Sequence, residues 1–109
     1  MSATAEFTDY ILGQLAPSGQ ILHRKMFGGV GVYLDGTFCA IISSSNRFYL
    51  RVGPNNIGNF QREGMDQFSG RPGSAGMPYY EVPEHIVEDS SVLRLWAREA
   101  RTAAIEVKK

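Results

Sequence analysis

The pair Asp35-Gly36, set between the apolar runs at residues 30–34 and 37–43, restricts the fold more than any other stretch of the chain. A two-residue loop of this composition accepts positive φ at both positions, which matches the twist of the flanking strands and closes them as a hairpin. Before the turn, Val30, Val32 and Leu34 point one way while Gly31 and Tyr33 point the other, so one face of the strand is apolar. Such a joint commits the chain to an antiparallel sheet.

The same period of two begins at Leu22 and resumes after the turn Ser44-Ser45-Asn46. There Phe48, Leu50 and Val52 alternate with Arg47, Tyr49 and Arg51. Residues 67–69 and 78–82 read as two more strands. Between them, Gly70-Arg71-Pro72-Gly73-Ser74-Ala75-Gly76 is too rich in glycine and proline for regular structure and reads as a mobile loop. Helical spacing appears at residues 4–16, where Phe7, Ile11 and Leu15 recur every four residues with Tyr10 beside them, and Pro17-Ser18-Gly19 stops the pattern. A short helix opens at Gly53-Pro54, is anchored by Ile57 and Phe60, and ends at Gly64. After a helical turn at 84–87, a cap among Asp89, Ser90 and Ser91 starts a last helix reaching about Val107. Its stripe of Leu93, Trp96, Ala97, Ala100, Ala103, Ala104 and Val107 has to cover the sheet. The order α-β(3-4)-α-β(2)-α predicts an α+β two-layer sandwich, with an antiparallel sheet, helices packed on one face and the other face partly open.

A chain of 109 residues fits a single domain, 1–109, large enough to bury a core without metal or disulfide support. No apolar run approaches the roughly 18 residues that span a bilayer, so no membrane role is expected. Residues 1–6 carry neither a basic segment nor an apolar one, which points to the cytoplasm. The lone cysteine, Cys39, permits no internal disulfide and sits in an apolar strand without a neighbouring base, as a packed thiol does. Eleven basic and eleven acidic residues give a net charge of +0, hence no overall field to collect nucleic acid, and direct nucleic-acid binding is not expected.

Chemistry-bearing patterns are few. Gly28-Gly29-Val30-Gly31 runs into a strand, whereas a phosphate-binding glycine loop opens a helix; a bend between strands or a close backbone approach accounts for it. His23 and His85 have no partner at metal-ligand spacing, so no metal or cofactor is expected. Ser43, Ser44 and Ser45 form a turn and not a nucleophile elbow. Of the acidic residues, Glu84, Glu88 and Asp89 fit helix starts. The expectation is a protein that is not an enzyme, with no catalytic residues.

What remains is surface. Alternation places Tyr33, Arg47, Tyr49, Arg51 and Tyr79 on the sheet face opposite the apolar one, a composition that suits a protein partner, self-association as a homodimer, or base stacking. Arg94, Arg98 and Arg101 form a basic row along the last helix: a phosphate row in the alternative nucleic-acid reading, or a flank lying over the core edge. A further alternative is a small-ligand site or enzyme with residues 70–76 as a lid near Tyr79 and Tyr80.

Taken together, Arg24-Lys25-Met26-Phe27-Gly28-Gly29-Val30-Gly31, the Asp35-Gly36 hairpin, Phe48-Tyr49-Leu50-Arg51-Val52, Met77-Pro78-Tyr79-Tyr80-Glu81-Val82-Pro83 and Leu95-Trp96-Ala97 resemble the TfoX/Sxy amino-terminal domain family, bacterial proteins linked to competence for DNA transformation. The resemblance implies a domain similar to the secretion-chaperone-like fold, with no assigned catalytic residue, metal or cofactor. It also implies a part in transcription regulation, since full-length members carry this domain ahead of a helical one and act on competence genes together with the cyclic-AMP receptor protein.

Overall fold

The computed structural model describes residues 4–26, 28–68 and 78–107; the predicted loop at 70–76 lies outside them. Helix α1 (Ala5–Leu15) starts where Thr4, in extended conformation, accepts the Phe7 N–H on its hydroxyl, and it buries Thr8, Ile11 and Leu15. Pro17 then tightens the chain into a 3₁₀ turn, Ala16–Ser18. Strands β1 (Ile21–Met26), β2 (Gly29–Leu34), β3 (Thr37–Ile42), β4 (Phe48–Arg51) and β5 (Tyr79–Glu81) form one sheet in chain order, antiparallel throughout.

The glycine cluster serves both uses that the sequence suggests. Gly28 takes φ 74° in the joint between β1 and β2. Gly29, at the start of β2, lies so close to β3 that a Cβ placed on it would stand 2.0 Å from the Ile42 carbonyl oxygen. At the β2–β3 turn, Asp35 and Gly36 adopt φ 48° and 82°, the left-handed pair that the hairpin requires.

Helix α2 (Ile57–Arg62) begins three residues later than Pro54. The buried Asn56 side chain explains the delay. It accepts the Gly53 N–H at 2.8 Å and donates to the Arg51 carbonyl at 2.9 Å, so residues 53–56 form a turn built on a side chain before the helix can start. The strand expected at 67–69 is an isolated bridge from Gln67 to Tyr80, and Ser69 lies outside the described residues. Helix α3 (Glu84–Val87) leads to α4 (Ser90–Val107), whose first turn is tied to Asp89 by the Leu93 N–H on its carbonyl.

Buried side chains from every α-helix, among them Ile11, Leu15, Phe60, Ile86, Leu93, Ala97 and Ala100, join Val32, Leu34, Ile42, Phe48 and Leu50 in one core. The helices therefore cover a single face. A smaller cluster of Ile41, Tyr49 and Tyr79, flanked by Phe38 and Phe68, forms on the other face.

The two outer strands differ. Residues 66–68 run along the free side of β5, with Phe68 N–H on the Tyr79 carbonyl at 2.7 Å and Glu81 N–H on the Asp66 carbonyl at 2.9 Å. Among the described residues no strand or bridge lies outside β1.

Candidate partner surface on the sheet

The residues expected on the open face do share it, but they are not equally open. Tyr49 pairs with Glu81 and Arg51 with Tyr79 across β4 and β5. Tyr79 is 2% exposed and Tyr49 9%, so their rings pack and only their surroundings are presented. The Tyr49 ring stands edge-on to Phe68 at 4.9 Å, and the Arg51 guanidinium lies 5.7 Å from the centre of the Tyr79 ring. Burial pushes both hydroxyls above the ordinary tyrosine range, with the Glu81 carboxylate adding to the shift at Tyr49 and Arg51 opposing it at Tyr79. Neither is poised for proton transfer near neutrality. Arg47 is exposed and bonds Glu81 at 3.1 Å.

The exposed apolar part of this face lies toward β1. Leu22, Tyr33 and Phe38 are direct cross-strand neighbours on three successive strands, and Leu22 is 54% exposed. Tyr33 and Phe38 are half-buried, with ring centres 5.3 Å apart, and Phe38 continues to Tyr79 at 5.5 Å. Phe38 joins the row through a bulge: β2 and β3 pair Val32 with Ala40 but Tyr33 with Phe38, leaving Cys39 as the extra residue. Simple alternation puts Phe38 beside Ala40 on the helix-covered face. Leu22 was within reach of sequence reasoning, because a register pairing it with Tyr33 places the two together. Cys39 itself turns into the core, where burial pushes its thiol up to about 11 and keeps it protonated.

The arginine row of α4 is committed to the fold. Arg94 donates to the Gln14 carbonyl at 3.3 Å, Arg98 to the Ser18 carbonyl at 3.1 Å and to the Asp35 carboxylate at 2.8 Å, and Arg101 to the Leu34 carbonyl at 3.0 Å. These bonds staple α4 to the end of α1 and to the β2–β3 turn. The Arg98 hydrogen bond, helped by the Gln20 N–H, holds the Asp35 carboxyl below its ordinary value of 3.8. A depressed folded-state value means that the charged carboxylate favours the fold above the ordinary aspartate range. That contribution is lost as pH falls through the folded value. Asp35→Asn is expected to be less stable than the parent at neutral pH and to converge with it on acidification, as read from denaturant midpoints down the acid limb. A gap that stays constant with pH would show that the charge plays no part.

Among the described residues no group of three His, Cys, Asp or Glu side chains is placed to hold a metal ion, and His85 pairs with Glu63 at the surface at 3.0 Å. Two clefts are lined by described residues. One of about 490 Å³ is bordered by Tyr10, Arg47 and Glu81; another of about 640 Å³ opens between α1 and β1. No described helix is long and apolar enough to cross a membrane.

With the five-stranded meander and its helical cover in place, the comparison with known families becomes decisive: the TfoX N-terminal domain matches residues 13–104, from the last turn of α1 to the last turns of α4. The chain belongs to the TfoX N-terminal domain family. No curated protein matches it. The matched span of this TfoX N-terminal domain contains the whole sheet, the row Leu22, Tyr33 and Phe38, and the arginines of α4.

Proposed function

We propose that this domain is a non-enzymatic regulatory module of the cytoplasm that works by binding a protein partner through the helix-free face of its sheet. Membership of the TfoX N-terminal domain family supports a regulatory role. The observation that carries the contact reading is the row Leu22, Tyr33 and Phe38, apolar and at least half accessible at its β1 end. Aromatic and aliphatic groups clustered on a rigid sheet, with Arg47 and Arg51 at the margin, are the composition of an interface centre and its rim. The packed cluster of Ile41, Tyr49 and Tyr79 flanks the row on the same face and holds Phe38 in place. Arg94, Arg98 and Arg101 spend donors on backbone carbonyls and Asp35, which favours the contact reading over the phosphate one.

The test is the double substitution Leu22→Asp with Tyr33→Ser, introduced in the chromosomal copy. Its folded level is expected to match the parent, while the transcript profile becomes that of a deletion and a benzophenone cross-linker carried at position 38 loses its protein adduct. A parental transcript profile together with an unchanged adduct would overturn the reading.

A further inference from the structure

On a chain of zero net charge, the basic side chains of the described residues are engaged by the fold to different degrees, with Arg51 lying against the Tyr79 ring. Arg47, Arg62, Arg94, Arg98 and Arg101 all donate to carboxylates, amides or carbonyls of the domain. The consecutive residues His23, Arg24 and Lys25 are exposed and make no side-chain hydrogen bond or ion pair with any other described residue. All three sit in β1, an outer strand with no further strand or bridge beside it among the described residues, while its counterpart β5 is bordered by residues 66–68.

The backbone of β1 is as available as its charges. Asp35 donates its N–H to the Gln20 carbonyl at 2.8 Å, which fixes the phase of the ladder. Bonding then alternates, so Leu22, Arg24 and Met26 face β2 with their backbone groups while Ile21, His23 and Lys25 aim N–H and C=O outward. Beside this edge lies the cleft of about 640 Å³, floored by Gly29 and Val30 and walled by Ala5 and Thr8 of α1, with Asp9, His23 and Lys25 at its rim.

We propose that β1 is a docking edge for an extended acidic segment of another protein, which adds to the sheet as an antiparallel strand. The free N–H and C=O groups supply main-chain pairing, and the cleft receives side chains from one face of the incoming strand. Charge selects the occupant. Lys25 projects to the helix-covered face beside His23, and Arg24 to the other, so consecutive Asp or Glu residues on the incoming strand meet a cation on each face. A second copy of this chain is the wrong partner, because pairing β1 with itself brings two His-Arg-Lys triplets into one ladder. A nucleic acid answers the charges but offers no strand to the exposed amides. This edge shares Leu22 with the row on the helix-free face, but strand addition uses the outward backbone groups of Ile21, His23 and Lys25, so neither inference needs the other.

The probe is a labelled decapeptide of alternating valine and threonine with three consecutive acidic residues at its centre, followed by fluorescence polarisation against the full chain. Binding is expected, with protection of the Ile21, His23 and Lys25 amides from hydrogen exchange. It is expected to weaken about tenfold for the double variant Arg24→Glu, Lys25→Glu and to vanish for a peptide with lysines at the centre. The informative variant is His23→Pro, which removes one outward N–H, leaves Arg24 and Lys25 in place and breaks no bond to β2. Its parental circular dichroism and lost peptide binding would support strand addition. Peptide binding unaffected by His23→Pro would overturn the proposal in favour of simple charge attraction. So would an oligonucleotide that outcompetes the peptide without protecting those amides. Absence of peptide binding would overturn the proposal and leave Arg24 and Lys25 with only the task of keeping copies of the chain apart.

Discussion

Gly29→Ala is expected to cost about 3 kcal/mol and to lower the thermal midpoint by roughly 10 °C. The added Cβ would meet the Ile42 carbonyl oxygen at 2.0 Å and the carbonyl carbons of Ile42 and Ser43 at 3.0 Å. All three are backbone atoms, of the last residue of β3 and the one that follows it, so no rotamer change can make room and β2 has to move away from β3. Gly13→Ala is the matched control, since a Cβ there meets nothing within 4 Å on an exposed turn of α1. It is expected to stabilise by about 0.5–1 kcal/mol. Denaturant titrations of the two variants, run side by side, check both signs. Equal midpoints would show that the β2–β3 approach has slack.

Phe60→Ala is expected to remove about 3–4 kcal/mol, because it empties the one buried anchor of α2. The ring is 1% exposed, stands edge-on to Trp96 at 4.9 Å and lies 6.1 Å from Tyr80. Its removal uncouples α2 from α4 and from β5 together. Trp96 is the single tryptophan, so the loss has its own optical signal, a red shift of native-state emission as water reaches the indole. Phe60→Leu refills most of the volume and is expected to cost about half as much. A full-length alanine variant with parental emission and a cost under about 1 kcal/mol would show that Phe60 is not the anchor.

Much of this architecture was readable from the chain, and the failures have physical causes. Asp35-Gly36 announced its hairpin because only a few residues tolerate left-handed φ, and the structure shows 48° and 82° there. The stripe of α4 was equally plain, since 18 residues give the helical period room to repeat. Pro54 misled: proline is favoured in a first helical turn, but Asn56 offered the local backbone a competing set of hydrogen bonds. At the candidate surface, alternation found the correct face for Tyr33, Tyr49 and Tyr79 but could not measure cover. Ring packing within Ile41, Tyr49, Tyr79 and Phe68 is a tertiary event. Phe38 was hidden by a bulge, which shifts parity by one residue and leaves no mark in composition. The arginines of α4 show the same limit, because their acceptors lie 63 to 80 residues away in sequence.

That separation bears on how the domain is made. The meander from β1 to β4 joins neighbours in sequence and can assemble as soon as its residues appear, whereas α1 and the turn after it are bonded to partners 73 to 80 residues on, Gln14 to the Val87 carbonyl, Arg94 to the Gln14 carbonyl and Arg98 to the Ser18 carbonyl. On the ribosome α1 can rest against the sheet early, but its bonds to α3 and α4 wait until residues 84–107 have cleared the exit tunnel. Helix α1 is therefore among the last parts of the domain to be secured, and during that interval Ile11 and Leu15 are the residues a chaperone would find.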